Sequence, residues 1–215
     1  MRLIALAWFL VVGSTAQGQS IDEGTFSIRK SGREIGREDF VIQPGRQGIP
    51  SGSTIISRTR IPTLNPVHVQ EVVVERRADG SFANMLLSYT TEGTSGRVIA
   101  EIARNVLRIH TASGGNEGIR ELPAPEHMVG LADSAFALFA LIADRASQEG
   151  SVITGVYPRS GRRISFSASR EGNPQEETRI VLAGEIAGTI WLDPKGHLMR
   201  MVLPGSDLEV VRIRR

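Results

Sequence analysis

Four histidines, His68, His110, His127 and His197, are the side chains best suited to hold a transition metal or move a proton near neutral pH. They are scattered, and no pair has the spacing that sets two ligands on one helix face. The chain has no cysteine, so thiolate metal sites and disulfides are excluded. No metal and no cofactor is therefore expected. The adjacent acids Asp22-Glu23, Glu38-Asp39 and Glu176-Glu177 point to opposite faces of any strand, so none forms a local dyad for glycoside hydrolysis. Gly93-Thr94-Ser95-Gly96-Arg97 lacks the glycine spacing and the following helix of a nucleophile elbow. Neither a Walker phosphate loop nor a dinucleotide fingerprint is present. A Ser-His-Asp triad can be assembled from remote positions, so a hydrolase without a recognisable motif stays as a third reading.

Binding chemistry has better candidates. Met85, Tyr89, Trp191, Met199 and Met201 form a methionine and aromatic set. Thioethers are flexible and polarizable and suit apolar ligands of variable shape. The competing reading is plain core packing. Phe136 and Phe139 join the set from an apolar stretch, 135–143, that contains no polar residue.

That stretch predicts a helix over about 133–148, with Asp133 or Ser134 as its N-terminal cap. Being apolar all round, it must be buried on several sides. Nine such residues rise only about 13 Å, so it is no bilayer span. Around it the pattern is β. Segments 25–28, 34–43, 53–61, 67–77, 81–91, 97–103 and 106–111 read as strands. So do 178–183, 187–193, 197–203 and 207–213. Met85, Leu87 and Tyr89 fall on one face of their strand, and Asn84, Ser88 and Thr90 on the other. Ile164, Phe166 and Ala168 alternate strictly with Ser165, Ser167 and Ser169. Short connections imply antiparallel neighbours. The expectation is a mainly β fold: a curved antiparallel sheet or incomplete β-barrel, a meander packed around one apolar α-helix. Residues 19–215 form a single domain in this reading.

One turn predicts side-chain facing. In Asp193-Pro194-Lys195-Gly196, proline suits the second turn position and glycine the left-handed one. The resulting hairpin pairs Asp193 with His197 and Trp191 with Met199. Trp191, Met199 and Met201 then share one face.

The first residues read as an address. Met1-Arg2 is followed by an apolar run, 3–12, and then by small and polar residues. This is the order of a secretory signal peptide over residues 1–18, cleaved after Ala16 or Gly18. Lipidation of a mature N-terminal cysteine is impossible without cysteine. The expected product is a soluble periplasmic or secreted protein with no stable transmembrane span after cleavage.

Of the 215 residues, 25 are basic and 23 acidic, a formal charge of +2. The pI of about 9.5 reflects few groups that titrate above the histidine range, not a strong field. Nucleic acid is not an expected partner. Local clusters exist at Arg76-Arg77, at Arg159 with Arg162-Arg163, and at Arg212 with Arg214-Arg215. They read as solvated loop and terminal charge, or as contacts to anionic envelope components.

Gly32-Arg33-Glu34-Ile35-Gly36 and the run from Thr189 to Arg200, T-I-W-L-D-P-K-G-H-L-M-R, carry a resemblance. They resemble the opening and closing segments of a domain-of-unknown-function group of exported bacterial proteins. That group is similar in outline to the periplasmic lipoprotein localisation factors. The resemblance implies a half-barrel enclosing a hydrophobic cavity, with helical structure at its mouth. The leading expectation is a non-catalytic cell-envelope protein that binds a lipid or other apolar ligand in the concavity. The alternative is a structural or protein-interaction module with a closed core and an envelope protein partner.

Overall fold

A computed structural model describes residues 21–45, 52–63, 68–91, 93–172 and 177–214. The segment read as a signal peptide lies outside them. Alternating polarity builds the strands in chain order: β1 (Asp22–Lys30), β2 (Arg33–Pro44), β3 (Ser53–Ile61), β4 (His68–Arg76), β5 (Phe82–Thr91), β6 (Thr94–Ala103), β7 (Val106–Ser113) and β8 (Asn116–Pro123). The second half supplies β9 (Val129–Gly130), β10 (Ser151–Tyr157), β11 (Arg162–Glu171), β12 (Thr178–Gly184), β13 (Gly188–Leu192), β14 (Leu198–Leu203) and β15 (Leu208–Arg214). All lie in one sheet, ordered from β8 down to β1, then from β15 down to β9. Every pairing is antiparallel except β9 with β10.

The result is the expected mainly β meander, one large curved sheet that stays open. Its free ends are β8 and β9. Side chains bridge the seam where a ladder is missing. Arg120 Nη1 donates to the Ser160 carbonyl at 2.6 Å, and Arg163 Nη1 reaches the Pro123 carbonyl at 3.4 Å. Among the described residues no helix is long and apolar enough to cross a membrane.

Residues 124–150 run through the concave side. Met128, Val129 and Leu131 are buried on the way in. A 3₁₀ turn (Phe136–Phe139) and one α-helical turn, α1 (Ala140–Ala143), lead back. The helical piece is thus half the length expected for 133–148. Its C-terminus is drawn off by the sheet: Ser147 bridges to Ser169, and Arg170 donates to the carbonyls of Ala143 (2.8 Å) and Ala146 (3.4 Å). Expected burial on several sides holds, with Leu138 and Ile142 at 0% exposure.

The Asp193 turn forms as read. Asp193 N–H donates to the His197 carbonyl, Asp193 Oδ1 accepts the N–H groups of Lys195 and His197, and Gly196 has φ +83°. The facing beyond it needs correction. An irregularity between Trp191 and Leu192 sets Trp191 opposite Arg200, and Ile190 opposite Met201. Trp191 and Met201 therefore lie on opposite faces. A bulge adds one residue to one strand, and that reverses every side chain after it.

The reading of Arg212 as solvated charge is also corrected. Its guanidinium binds both carboxylate oxygens of Asp22, at 2.6 and 3.1 Å, and the two side chains are 3% and 8% exposed. The pair ties β15 to the start of β1.

Candidate functional site

The site begins with an acid in the core. Phe26, Glu38 and Phe40 face inward, because Glu38 pairs with Phe26 across β1 and β2, and side chains alternate along β2. Glu38 is fully buried. Its Oε2 accepts the Phe136 N–H at 2.8 Å, while Oε1 accepts the Ala137 N–H at 3.0 Å and the Ser57 hydroxyl at 2.6 Å. A strand far away in sequence thus caps the 3₁₀ turn, and neither Asp133 nor Ser134 does so. The reason is local: Ser134 sits at φ +62° and its carbonyl accepts the Thr59 hydroxyl at 2.6 Å, which turns the chain sharply before the helical piece. Burial pushes the Glu38 carboxyl up to about 7, against the opposing pull of its three donors.

Held this way, the 3₁₀ turn presents Phe136 and Phe139 to a groove of about 500 Å³ at one rim of the sheet. Turns joining β10 to β11, β12 to β13 and β14 to β15 surround it. Ile186, Ala187, Leu203 and Leu208 extend the apolar floor, and Asp133, Ser134, Tyr157, Arg162 and Glu185 supply a polar border. The Arg162 guanidinium lies 4.9 Å from the Tyr157 ring centre. Burial, and then the nearby Asp133 carboxylate, hold the Tyr157 phenol above its ordinary range. This is an amphipathic concavity: it can hold an apolar chain against the phenylalanines and hydrogen-bond a polar end at the border.

The structure divides the expected ligand-binding set. Phe136 and Phe139 line the groove, each 5% exposed. Met85 and Met201 are core residues, 1% and 0% exposed. Tyr89 packs its ring over Gly96, where a Cβ would stand 2.3 Å from Cζ, and stacks under the Arg159 guanidinium at 3.8 Å. Trp191 is half-buried on the outer face with Arg200 4.9 Å from its ring. Met199 is half-buried beside the bulge. Neither Trp191 nor Met199 reaches the groove.

Among the described residues, His197 and His68 each meet one polar side chain. His197 Nδ1 meets Asp193 Oδ2 at 3.2 Å, and His68 Nδ1 meets the Thr91 hydroxyl at 3.1 Å. Among the described residues, no serine hydroxyl joins either histidine in the hydrogen bonds of the structure. No group of three metal-ligating side chains occurs among them either.

Sequence reasoning missed Glu38, Tyr157, Arg162 and Ile186. For Glu38 a signal existed: it shares the parity of the apolar Phe40 and Ile42. The groove residues sit in or beside turns, where polarity patterns carry no facing information.

No protein-family model and no curated protein matches the chain. Among solved structures, the chain is similar in outline to a DUF1089 family protein from Pseudomonas aeruginosa. The two are 11% identical, the match covers 96% of this chain and 98% of that chain, and the TM-score is 0.45.

Proposed function

We propose that this chain is an exported, non-catalytic envelope protein that binds an apolar or amphipathic ligand, of the lipid class, in the rim groove. The observation that carries the reading is the groove itself, floored by Phe136 and Phe139 and bordered by polar side chains. Export rests on the sequence of residues 1–18. Native mass spectrometry of protein purified gently from the periplasm tests both parts. A bound lipid mass on a chain shortened by 16 or 18 residues is the expected result. A clean apo mass removes the ligand reading, and an unshortened chain removes the export reading.

A second reading is favoured by one observation. The concave side is filled by 124–150, and Met85 and Met201 pack in a closed core. A protein-interaction module with that core would use the outer surface and leave the groove empty in every preparation.

A further inference from the structure

Arg76-Arg77 is a basic pair that the rim groove leaves unexplained. It lies at the opposite rim, where β4 ends and β5 begins. There Arg76, Arg77 and Arg145 wall a cavity of about 400 Å³ together with Asp79, Asp144, Ser53 and Gly80. Two of the three guanidinium groups are committed. Arg77 donates to the carbonyls of Phe82 (3.0 Å) and Ile102 (3.2 Å). Arg76 donates to the Ser53 hydroxyl at 2.6 Å and to Asp144. Arg145 differs: its Nε and Nη2 are buried and have no hydrogen-bond partner.

Buried donors without acceptors are rare, and each calls for an unseen partner such as an ion. The acids on the wall do not fill that need. Asp79 Oδ1 accepts from the Ser81 amide and hydroxyl, and Asp144 is taken by Arg76. Three guanidinium groups face two carboxylates, so the wall carries a positive excess. The orphan donors lie beside the 78–80 turn, where a Cβ on Gly80 would stand 3.6 Å from Nη2. Turning the Arg145 guanidinium into the cavity breaks no hydrogen bond at these two atoms, because they have none.

We propose that this cavity binds a phosphate group, with Arg145 as its bidentate partner and Arg76 across from it. A guanidinium edge pairs two parallel N–H bonds with two oxygens of an oxyanion. A tetrahedral phosphate keeps further oxygens for the part of the Arg76 guanidinium that Ser53 and Asp144 do not take, whereas a carboxylate has both of its oxygens used by Arg145. The phosphate is that of a free ion or of a lipid headgroup. The site stands apart from the groove and does not depend on the function proposed above.

Calorimetric titration of the protein in low-salt chloride buffer tests it, with inorganic phosphate and glycerol phosphate as soluble probes. Phosphatidylcholine vesicles with and without phosphatidic acid form the third arm. The expected result is saturable binding that Arg145→Gln weakens at least tenfold and Asp144→Asn strengthens. Equal binding of both soluble probes identifies a free phosphate group. Binding confined to the phosphatidic acid vesicles identifies a headgroup. No saturable binding in any arm, or the same affinity in wild type and Arg145→Gln, overturns the proposal. If Arg145→Gln does not fold, Asp144→Asn decides: unchanged affinity overturns it too. Groove occupancy seen by mass spectrometry should be the same in both variants, which separates failure here from failure of the lipid reading.

Discussion

Glu38 Oε2 accepts the backbone N–H of Phe136 across 98 residues of sequence. The helical piece inside the sheet is therefore started by a side chain of the sheet. One buried carboxyl group thus holds the start of this piece, and with it part of the floor of the groove.

Replacing that group tests the dependence. Glu38→Leu leaves the Phe136 and Ala137 N–H groups and the Ser57 hydroxyl without their acceptor. Unmet buried donors cost about 1–3 kcal/mol each, so a total loss of about 3 kcal/mol or more is expected in urea unfolding. Glu38→Gln keeps an acceptor oxygen and should cost clearly less.

The same carboxyl sets a pH dependence. Its folded pKa of about 7 lies above the ordinary 4.5. Between those values the folded state holds a proton that the unfolded chain releases. The Glu38 contribution to stability should therefore fall as pH rises from about 4.5 to 7, and level off above, while His68, which burial holds below its ordinary 6.5, adds an opposite slope below that value. Glu34, Asp79 and Asp193 are shifted downward by their hydrogen bonds, so their contribution is lost only below the ordinary carboxylate range. Urea midpoints from pH 4.5 to 8.5 check the sign, and Glu38→Gln should flatten the slope.

The Asp22–Arg212 pair should behave as a buried ion pair. Asp22→Ala removes the bidentate acceptor of a guanidinium that is 3% exposed, at a cost of about 3–5 kcal/mol that added salt does not remove. Asp22→Leu combined with Arg212→Met should recover much of the loss. A double replacement no more stable than Asp22→Ala would refute the assignment.

Arg170 acts at the other end of the helical piece. Arg170→Ala removes the guanidinium donor from the carbonyls of Ala143 and Ala146, of which Ala143 keeps only the Ala146 N–H. The expected cost is about 1–3 kcal/mol, because a charged donor is lost. Hydrogen exchange of the Asp144, Arg145 and Ala146 amides, which close the last turns onto Ala140, Ile142 and Ala143, should speed up.

At the groove, Ile186→Glu places a carboxylate on the apolar floor. Binding of a fluorescent long-chain fatty acid should weaken at least tenfold, with the thermal midpoint nearly unchanged because Ile186 is only half-buried. Ile213→Glu, at an exposed position outside the groove, should leave probe binding as it was.

Much of the sheet was legible because one buried face makes polarity alternate, as in Ile164 to Ser169. β8 was not, because seven of its eight residues are exposed and an edge with two wet faces has no period to read. The helical stretch was recognisable from its unbroken apolar run, but its length was not. Arg170 and Ser169, far along the chain, end it by taking the backbone elsewhere. The split of Trp191 from Met201 came from a bulge that no residue type in 197–200 announces. Glu38 was legible as inward-facing from Phe40 and Ile42. Its partners were not, since backbone amides of a distant segment leave no mark in composition.

The pairing of β1 with β15 has a consequence for biosynthesis. β1 has β2 as a neighbour early, but its second edge stays open until β15 has been made. Closing so long a loop carries a large entropic cost that only the finished ladder and the Asp22–Arg212 pair, 190 residues apart, can offset. A nascent chain stalled before β15 would expose β1 and β14 as two unpaired edges, both ready to add foreign strands. β15 is thus the strand that renders β1 safe from aggregation.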